Sequence, residues 1–237
     1  LGQVNAGVYG ATISAGGAIL QAIGATPATI NVIAGNASLS SANGGMANGL
    51  AISAGVQVTG NLTATVGTGA TNGGIRIESL GATAPASVTL TDHATGQAQS
   101  MIHYGNNSGN WILGQSTRPV ISAAAPVNLS LSTNGTITLD SDLSGAFGEK
   151  VRLTGTGFIN NSSMSSLSTT TGNWLVYSGD PLLDKIGSLQ YDFKQYAATP
   201  LGPVLGSGNG FLYSVVPSTL TPSLAGSVER VYNGNDI

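Results

Sequence analysis

The chain contains no cysteine. Disulfide bonds, thiolate metal sites and a cysteine nucleophile are therefore excluded. Charge is scarce too: Asp, Glu, Lys and Arg make up 7% of the 237 residues, against about 25% in an ordinary soluble domain. None of these, and no histidine, occurs before Arg76, and no aromatic residue lies between Tyr9 and Tyr104. A thick globular core needs bulky side chains at close-packed density. The first hundred residues do not supply them and suit a thin core of Val, Ile, Leu and Ala. With a net charge of −3 and its 7 basic residues scattered, the chain has no electrostatic case for nucleic acid or an anionic membrane. Long apolar runs are missing as well. A spanning helix needs about 20 such residues in a row, and Gly, Ser, Thr or Asn interrupts every few positions here. The aromatic gap argues against a membrane barrel with its aromatic girdles. The opening Leu1-Gly2-Gln3-Val4 has no charged or apolar leader region, so the chain is read as a piece of something longer.

What is present is a series of short period-two runs bounded by Gly and Asn. They include Ile30–Ile33, Leu50–Ser53, Val56–Val58 (with Gly55 between these two), Leu62–Val66, Ile75–Ile77, Val88–Leu90, Val127–Leu131, Thr136–Leu139 and Val151–Thr154. Alternating β-branched runs of this length predict half-buried strands. Leading strands recur at about 20–24 residues, the period range of solenoids. In a coil each strand pairs with its equivalent one turn on, so every backbone group finds a partner and only a narrow apolar interior must be filled. Small inward residues suit that interior, and Ser, Thr and Asn tolerate water outside. The expected fold is all-β, a right-handed parallel β-helix; an antiparallel sandwich is the alternative, normally with more aromatics. The stretch Gly16–Gly24 reads equally as a helical turn or a strand, and Ser162–Gly172 as a loop or a final coil.

After about residue 173 aromatics, charges and prolines return, beginning with Trp174, Tyr177 and Asp180-Pro181. Residues 1–172 are therefore read as the β-helix and 173–237 as a C-terminal cap or linker. The segment Gly172-Asn173-Trp174-Leu175-Val176-Tyr177-Ser178-Gly179-Asp180-Pro181 resembles the G-x-W-L-V-Y-S-x-x-P segment of filamentous-haemagglutinin-like exoproteins. Ile186–Leu189, Tyr191–Tyr196, Gly208–Tyr213 and Gly226–Asn235 are similar to segments that follow in that family. The resemblance covers about the last 65 of the 237 residues; the earlier part is similar only in style. It implies two-partner secretion through an outer-membrane transporter and an extracellular, cell-surface location. It also implies adhesion, aggregation or biofilm formation, with a host or neighbouring-cell glycan or protein, or a second copy, as partner.

Chemistry-bearing residues are few. His93 and His103 are the obvious bases, and both read as ordinary structural residues, with no nucleophile-elbow signature nearby. Asp140 and Asp142, two apart, would share one face of a strand and with a third ligand would bind Ca²⁺; the other reading is a turn, where Asp is favoured. Arg76 and Glu78 share a strand face and read as a surface pair. Tyr104 and Trp111, with Asn107 and neighbouring amides, resemble the platforms that grip sugar rings, or a loop tucked onto the coil. Asn36, Asn61, Asn106, Asn128, Asn134, Asn160 and Asn161 head N-x-S/T sequons. No cofactor is expected apart from Ca²⁺ at the two aspartates. The chain is expected to be non-enzymatic, an adhesive surface segment. A self-assembling fibre or surface-layer component, and a carbohydrate-active solenoid enzyme, are the alternatives.

Overall fold

The structure, a computed structural model, describes residues 1–21, 29–44, 50–70, 73–95, 100–143, 147–161, 165–216 and 226. It is an all-β solenoid in which all the strand pairs are parallel. Three sheets form its walls. Sheet A has ten strands: β1 (Val4–Asn5), β3 (Val32–Ala34), β5 (Ile52–Val58), β7 (Ile75–Ser79), β9 (Ser100–Asn106), β12 (Val127–Thr133), β14 (Phe147–Thr154), β16 (Asn173–Ser178), β18 (Gly210–Tyr213) and β17 (Phe193–Gln195), in that spatial order. Sheet B stacks β2 (Gly10–Ala15), β4 (Asn36–Ser41), β6 (Asn61–Val66), β8 (Ser87–Asp92) and β11 (Val120–Ala123). Sheet C stacks β10 (Trp111–Leu113), β13 (Thr136–Leu139) and β15 (Gly157–Asn160). No helix among the described residues is long and apolar enough to cross a membrane.

The parallel register stacks like on like. Ile52, Ile75, Ile102, Leu129, Val151 and Trp174 form one inward row of sheet A. Ala54, Ile77, Tyr104, Leu131, Leu153, Val176 and Phe211 form the next. Across the coil, Ile13, Leu39, Ala64, Leu90 and Ile121 make a row of sheet B. These rows meet in a single core. Each fully buried Leu or Ile contributes about 1.5–3 kcal/mol relative to exposure, so the stack is stabilised by the number of its rungs.

Corners are stitched by side-chain amides. Asn31 Oδ1 accepts from the Gly55 N–H at 3.0 Å, Asn36 Oδ1 from Asn61 N–H at 2.7 Å, and Asn110 Oδ1 from Thr136 N–H at 2.9 Å. Each of these bonds reaches one coil ahead, which gives the Asn-rich turns a structural role beyond their tolerance of tight backbone. The sequons fall partly on this framework. Asn106 and Asn160 are buried and closed to glycosylation in the folded chain.

The sequence reading and the structure differ in particulars. Leu50–Ser53 and Val56–Val58 do not flank a turn: β5 runs straight through Gly55. Glycine stands there because a Cβ would meet the Thr29 carbonyl oxygen at 2.1 Å, and the corner is Thr59-Gly60. The coils from Arg76 to His103 and from His103 to Ser130 each take 27 residues, beyond the expected spacing, and the second of them holds both β10 and β11. In Gly16–Gly24, Ile19 bridges in parallel to Ile52, so this part is strand-like; residues 22–24 lie outside the described residues. Of Ser162–Gly172, residues 162–164 lie outside them, and Leu167 bridges to Leu143.

The compositional change near residue 173 is not a break in the sheet. β16 pairs with β14, and β18 pairs with β16. What changes is the filling: Phe211 meets Phe158, Trp174, Tyr191 and Tyr213 with ring centroids 5.4–6.4 Å apart. Three of the segments that carry the family resemblance thus contain β16, β17 and β18, while Ile186–Leu189 places Leu189 in the core. Gly226–Asn235 lies outside the described residues, save Gly226.

Candidate functional site

Two regions concentrate chemistry. The first lies where the second wall of the solenoid changes hands. β9 is followed by β10, which opens sheet C, and then by β11, which closes sheet B against β8. Between the two sheets lies a cavity of about 520 Å³, bordered by Tyr104, Asn106, Asn110, Trp111, Arg118 and Val120 among others. The structure therefore brings Tyr104 and Trp111 together, edge to face with centroids 5.5 Å apart. Neither offers an open ring face: Tyr104 is 1% exposed and Trp111 6%. Burial pushes the Tyr104 phenol up to about 12. The Trp111 indole N–H points to the Thr117 carbonyl at 3.4 Å. Asn107 is not part of the cavity wall; its backbone N–H donates to Ser79 O and its carbonyl accepts from the Asn134 amide. The amide residues bordering the space are Asn106, Asn110 and Gln115, and the first two are already engaged, by Ser108 and by Thr136 respectively.

Asp140 and Asp142 lie beyond the end of β13, in a corner and not on a strand. Asp140 Oδ1 accepts from the Asn161 amide at 2.8 Å, and Asp142 Oδ1 accepts from the Ser166 N–H at 2.7 Å and its hydroxyl at 2.9 Å. All three bonds tie one coil to the next. Among the described residues no three His, Asp or Glu side chains converge in a way that would hold a metal.

The second region is the outward face of sheet A. Its register sets Arg76, His103, Ser130 and Arg152 side by side on β7, β9, β12 and β14. Spacing along this row is about 4.8 Å per strand. His103 Nε2 lies 3.0 Å from Glu78 Oε1, and its Nδ1 lies 3.0 Å from Ser130 Oγ. Arg76 donates to the same Glu78 oxygen through Nε at 3.3 Å and Nη2 at 3.1 Å. Glu78 sits opposite Gly105, not His103, so its carboxylate must lean diagonally across β9. Gly105 makes that possible: a Cβ there would stand 2.0 Å from Glu78 Oε2. Glycine inside a strand costs about 0.5–1 kcal/mol against alanine, and here the missing side chain is the room the carboxylate occupies. His103 and Glu78 are largely shielded, at 14% and 13% side-chain exposure.

Burial alone would raise the Glu78 carboxyl, but the hydrogen bonds and charge of His103, then those of Arg76, hold it below its ordinary value. A folded value below the unfolded one means the unfolded chain binds the proton more readily. The resulting stabilisation is complete above the unfolded value near 4.5 and is lost as pH falls through the lower folded value. Urea denaturation across the acid range should therefore show the wild type losing stability below pH 4.5 that Glu78→Gln does not lose; equal pH slopes would refute this account.

The sequence reading had Arg76 and Glu78 as a surface pair and His103 as an outward strand residue. Both descriptions hold, but the pair is joined to His103 and Ser130, and no local motif signals that convergence. Compared with protein-family models, with curated proteins and with solved structures, the chain has no match.

Proposed function

We propose that this chain is a segment of a large secreted bacterial surface protein, working in adhesion or aggregation at the cell surface. The observation that carries the reading is the outward face of sheet B. Ser14, Ser40, Thr65, Thr91 and Ser122 stand in one register row, and Thr12, Ser38, Thr63 and Thr89 in the next. This is a flat strip of hydroxyl groups with no charged side chain in either row. Such a strip presents donors and acceptors at a regular spacing of about 4.8 Å, and it approaches a hydroxyl-rich glycan without desolvating an ion. The resemblance in the last rungs supplies the surface setting, and the parallel stack supplies reach.

A first test uses antibody raised against this segment on intact producing cells, beside a strain lacking the parent protein. Surface label, with attachment or clumping lost in the deletion strain, is expected; label confined to the cell interior would overturn the reading. A sharper test alters the strip itself. Ser40→Glu with Thr65→Glu places two like charges on adjacent strands of an exposed face, and should lower attachment about tenfold, equivalent to about 1.4 kcal/mol in binding. Unchanged attachment by a folded variant would remove the strip from the contact surface.

A further inference from the structure

We propose that the outward face of sheet A carries a serine acyl-transfer site, in which Ser130 is the nucleophile, His103 the general base and Glu78 the acid that orients the imidazole, acting on short-acyl esters. This goes beyond contact and display, and it departs from the expectation of a non-enzymatic chain.

The three groups stand in the order the chemistry requires. A serine hydroxyl is a weak nucleophile unless a base takes its proton as it attacks, and the base must itself be held in one tautomer. Ser130 Oγ and His103 Nδ1 are 3.0 Å apart, and His103 Nε2 and Glu78 Oε1 are 3.0 Å apart. With the carboxylate accepting the Nε2 proton, the Nδ1 lone pair faces the hydroxyl. The ring is turned the opposite way from the best-known serine hydrolases, where Nε2 is the base; either imidazole nitrogen serves once the proton on the other is held. Arg76 holds the carboxylate as well, through the same Oε1 that faces His103. The register sets Arg152 next to Ser130 on the side away from His103. Its guanidinium leans the other way, over the Tyr177 ring of β16 and onto Pro200 O, so Arg152 adds positive charge to this face and no hydrogen bond at Ser130.

In the first half-reaction the Ser130 Oγ–H proton passes to His103 Nδ1 as the Oγ–C bond forms. The ester C–O bond then breaks, and the departing alkoxide takes that proton and leaves as the alcohol. In the second, water gives its proton to Nδ1 and attacks the acyl-serine. The acyl–Oγ bond breaks, the carboxylic acid departs, and the proton returns to Ser130. The net change is ester plus water to acid plus alcohol. An open sheet face has no deep acyl slot, which fits a short acyl group such as acetyl on a larger molecule.

The test treats the purified 237-residue chain with a fluorophosphonate probe, maps the adduct by peptide mass spectrometry, and follows hydrolysis of p-nitrophenyl acetate. The expected result is an adduct on Ser130 that is absent in Ser130→Ala and in urea-unfolded wild type. His103→Gln, Glu78→Gln and Gly105→Ala should each slow labelling at least about tenfold, since a positioned base contributes about 10²–10⁴-fold. Gly105→Ala is the most informative, because its Cβ displaces the carboxylate while none of the three groups is itself substituted. No adduct on Ser130 in folded wild type would overturn the proposal, as would full labelling of a folded His103→Gln. Should the variants not fold, the wild type decides: Ser130 must label at least about tenfold faster in the folded chain than in urea, and equal rates refute it. None of these readouts involves cells, so the adhesive reading stands or falls separately.

Discussion

Replacing Phe211 by alanine lowers the stability of the folded chain by about 3–5 kcal/mol, the range for deleting a fully buried aromatic ring. Phe211 is 0% exposed and touches four other rings, those of Phe158, Trp174, Tyr191 and Tyr213. It stands on Val176 in the last inward row of sheet A, so its loss opens a cavity that the flanking rings, themselves fixed by strands, fill only in part. Urea or thermal unfolding followed by tryptophan fluorescence would read the effect, because Trp174 lies 5.4 Å from the deleted ring. Phe211→Leu should retain much of the stability, since it keeps most of the volume. A loss below about 1 kcal/mol for Phe211→Ala, which is less than a single core truncation normally costs, would mean that the final rungs are not packed as described.

The second large effect is expected at Asp92. It occupies an inward row of sheet B, between Val66 and Ala123 in register, and is 1% exposed. A carboxylate in such a place is tolerated only when hydrogen bonds satisfy it. Here Oδ2 accepts from the Gly74 N–H at 2.7 Å and Oδ1 from the Ala94 N–H at 3.0 Å. Gly73 leaves the space for it, since a Cβ there would stand 2.3 Å from Oδ2. Asp92→Ala strands two buried backbone donors, each at a cost of about 1–3 kcal/mol, and opens a void. A total loss of about 2–5 kcal/mol follows. Asp92→Asn, which keeps one oxygen acceptor, should lose less. Gly73→Ala should destabilise comparably by pushing the carboxylate off its partners. If Asp92→Ala unfolds at the wild-type urea midpoint, those two bonds do not hold the corner.

The alternating runs were legible because period two and β-branching survive any tertiary setting: Thr136–Leu139 was read residue for residue as β13. β4 was passed over because its inward positions are Ala37, Leu39 and Ser41, too small and polar to stand out from a Ser-rich stretch. β10 and β11 were missed because neither alternates: Trp111-Ile112-Leu113 is apolar throughout, and Val120-Ile121-Ser122-Ala123 sets two apolar residues side by side. Of the residues singled out from sequence, Tyr104 and Trp111 do meet, but as a packed pair beside the cavity. The convergence of Glu78, His103 and Ser130 could not be read, since they lie 25 and 27 residues apart and meet only through a register that a one-residue change in coil length would shift. Gly105 was equally silent, because the reason for its missing side chain lies on the neighbouring strand.

The handover between sheets B and C has a mechanical consequence. A solenoid under tension carries load through its walls, and here only sheet A runs through all the described coils; the opposite wall is two shorter pieces that meet at the cavity. Tension along the stack therefore concentrates in the hydrogen bonds of sheet A around β9, while the far side opens. The molecule is a rod with a built-in soft joint, stiff below and above the coil that holds β10 and β11. A pulling measurement along the stack should give way first at that coil.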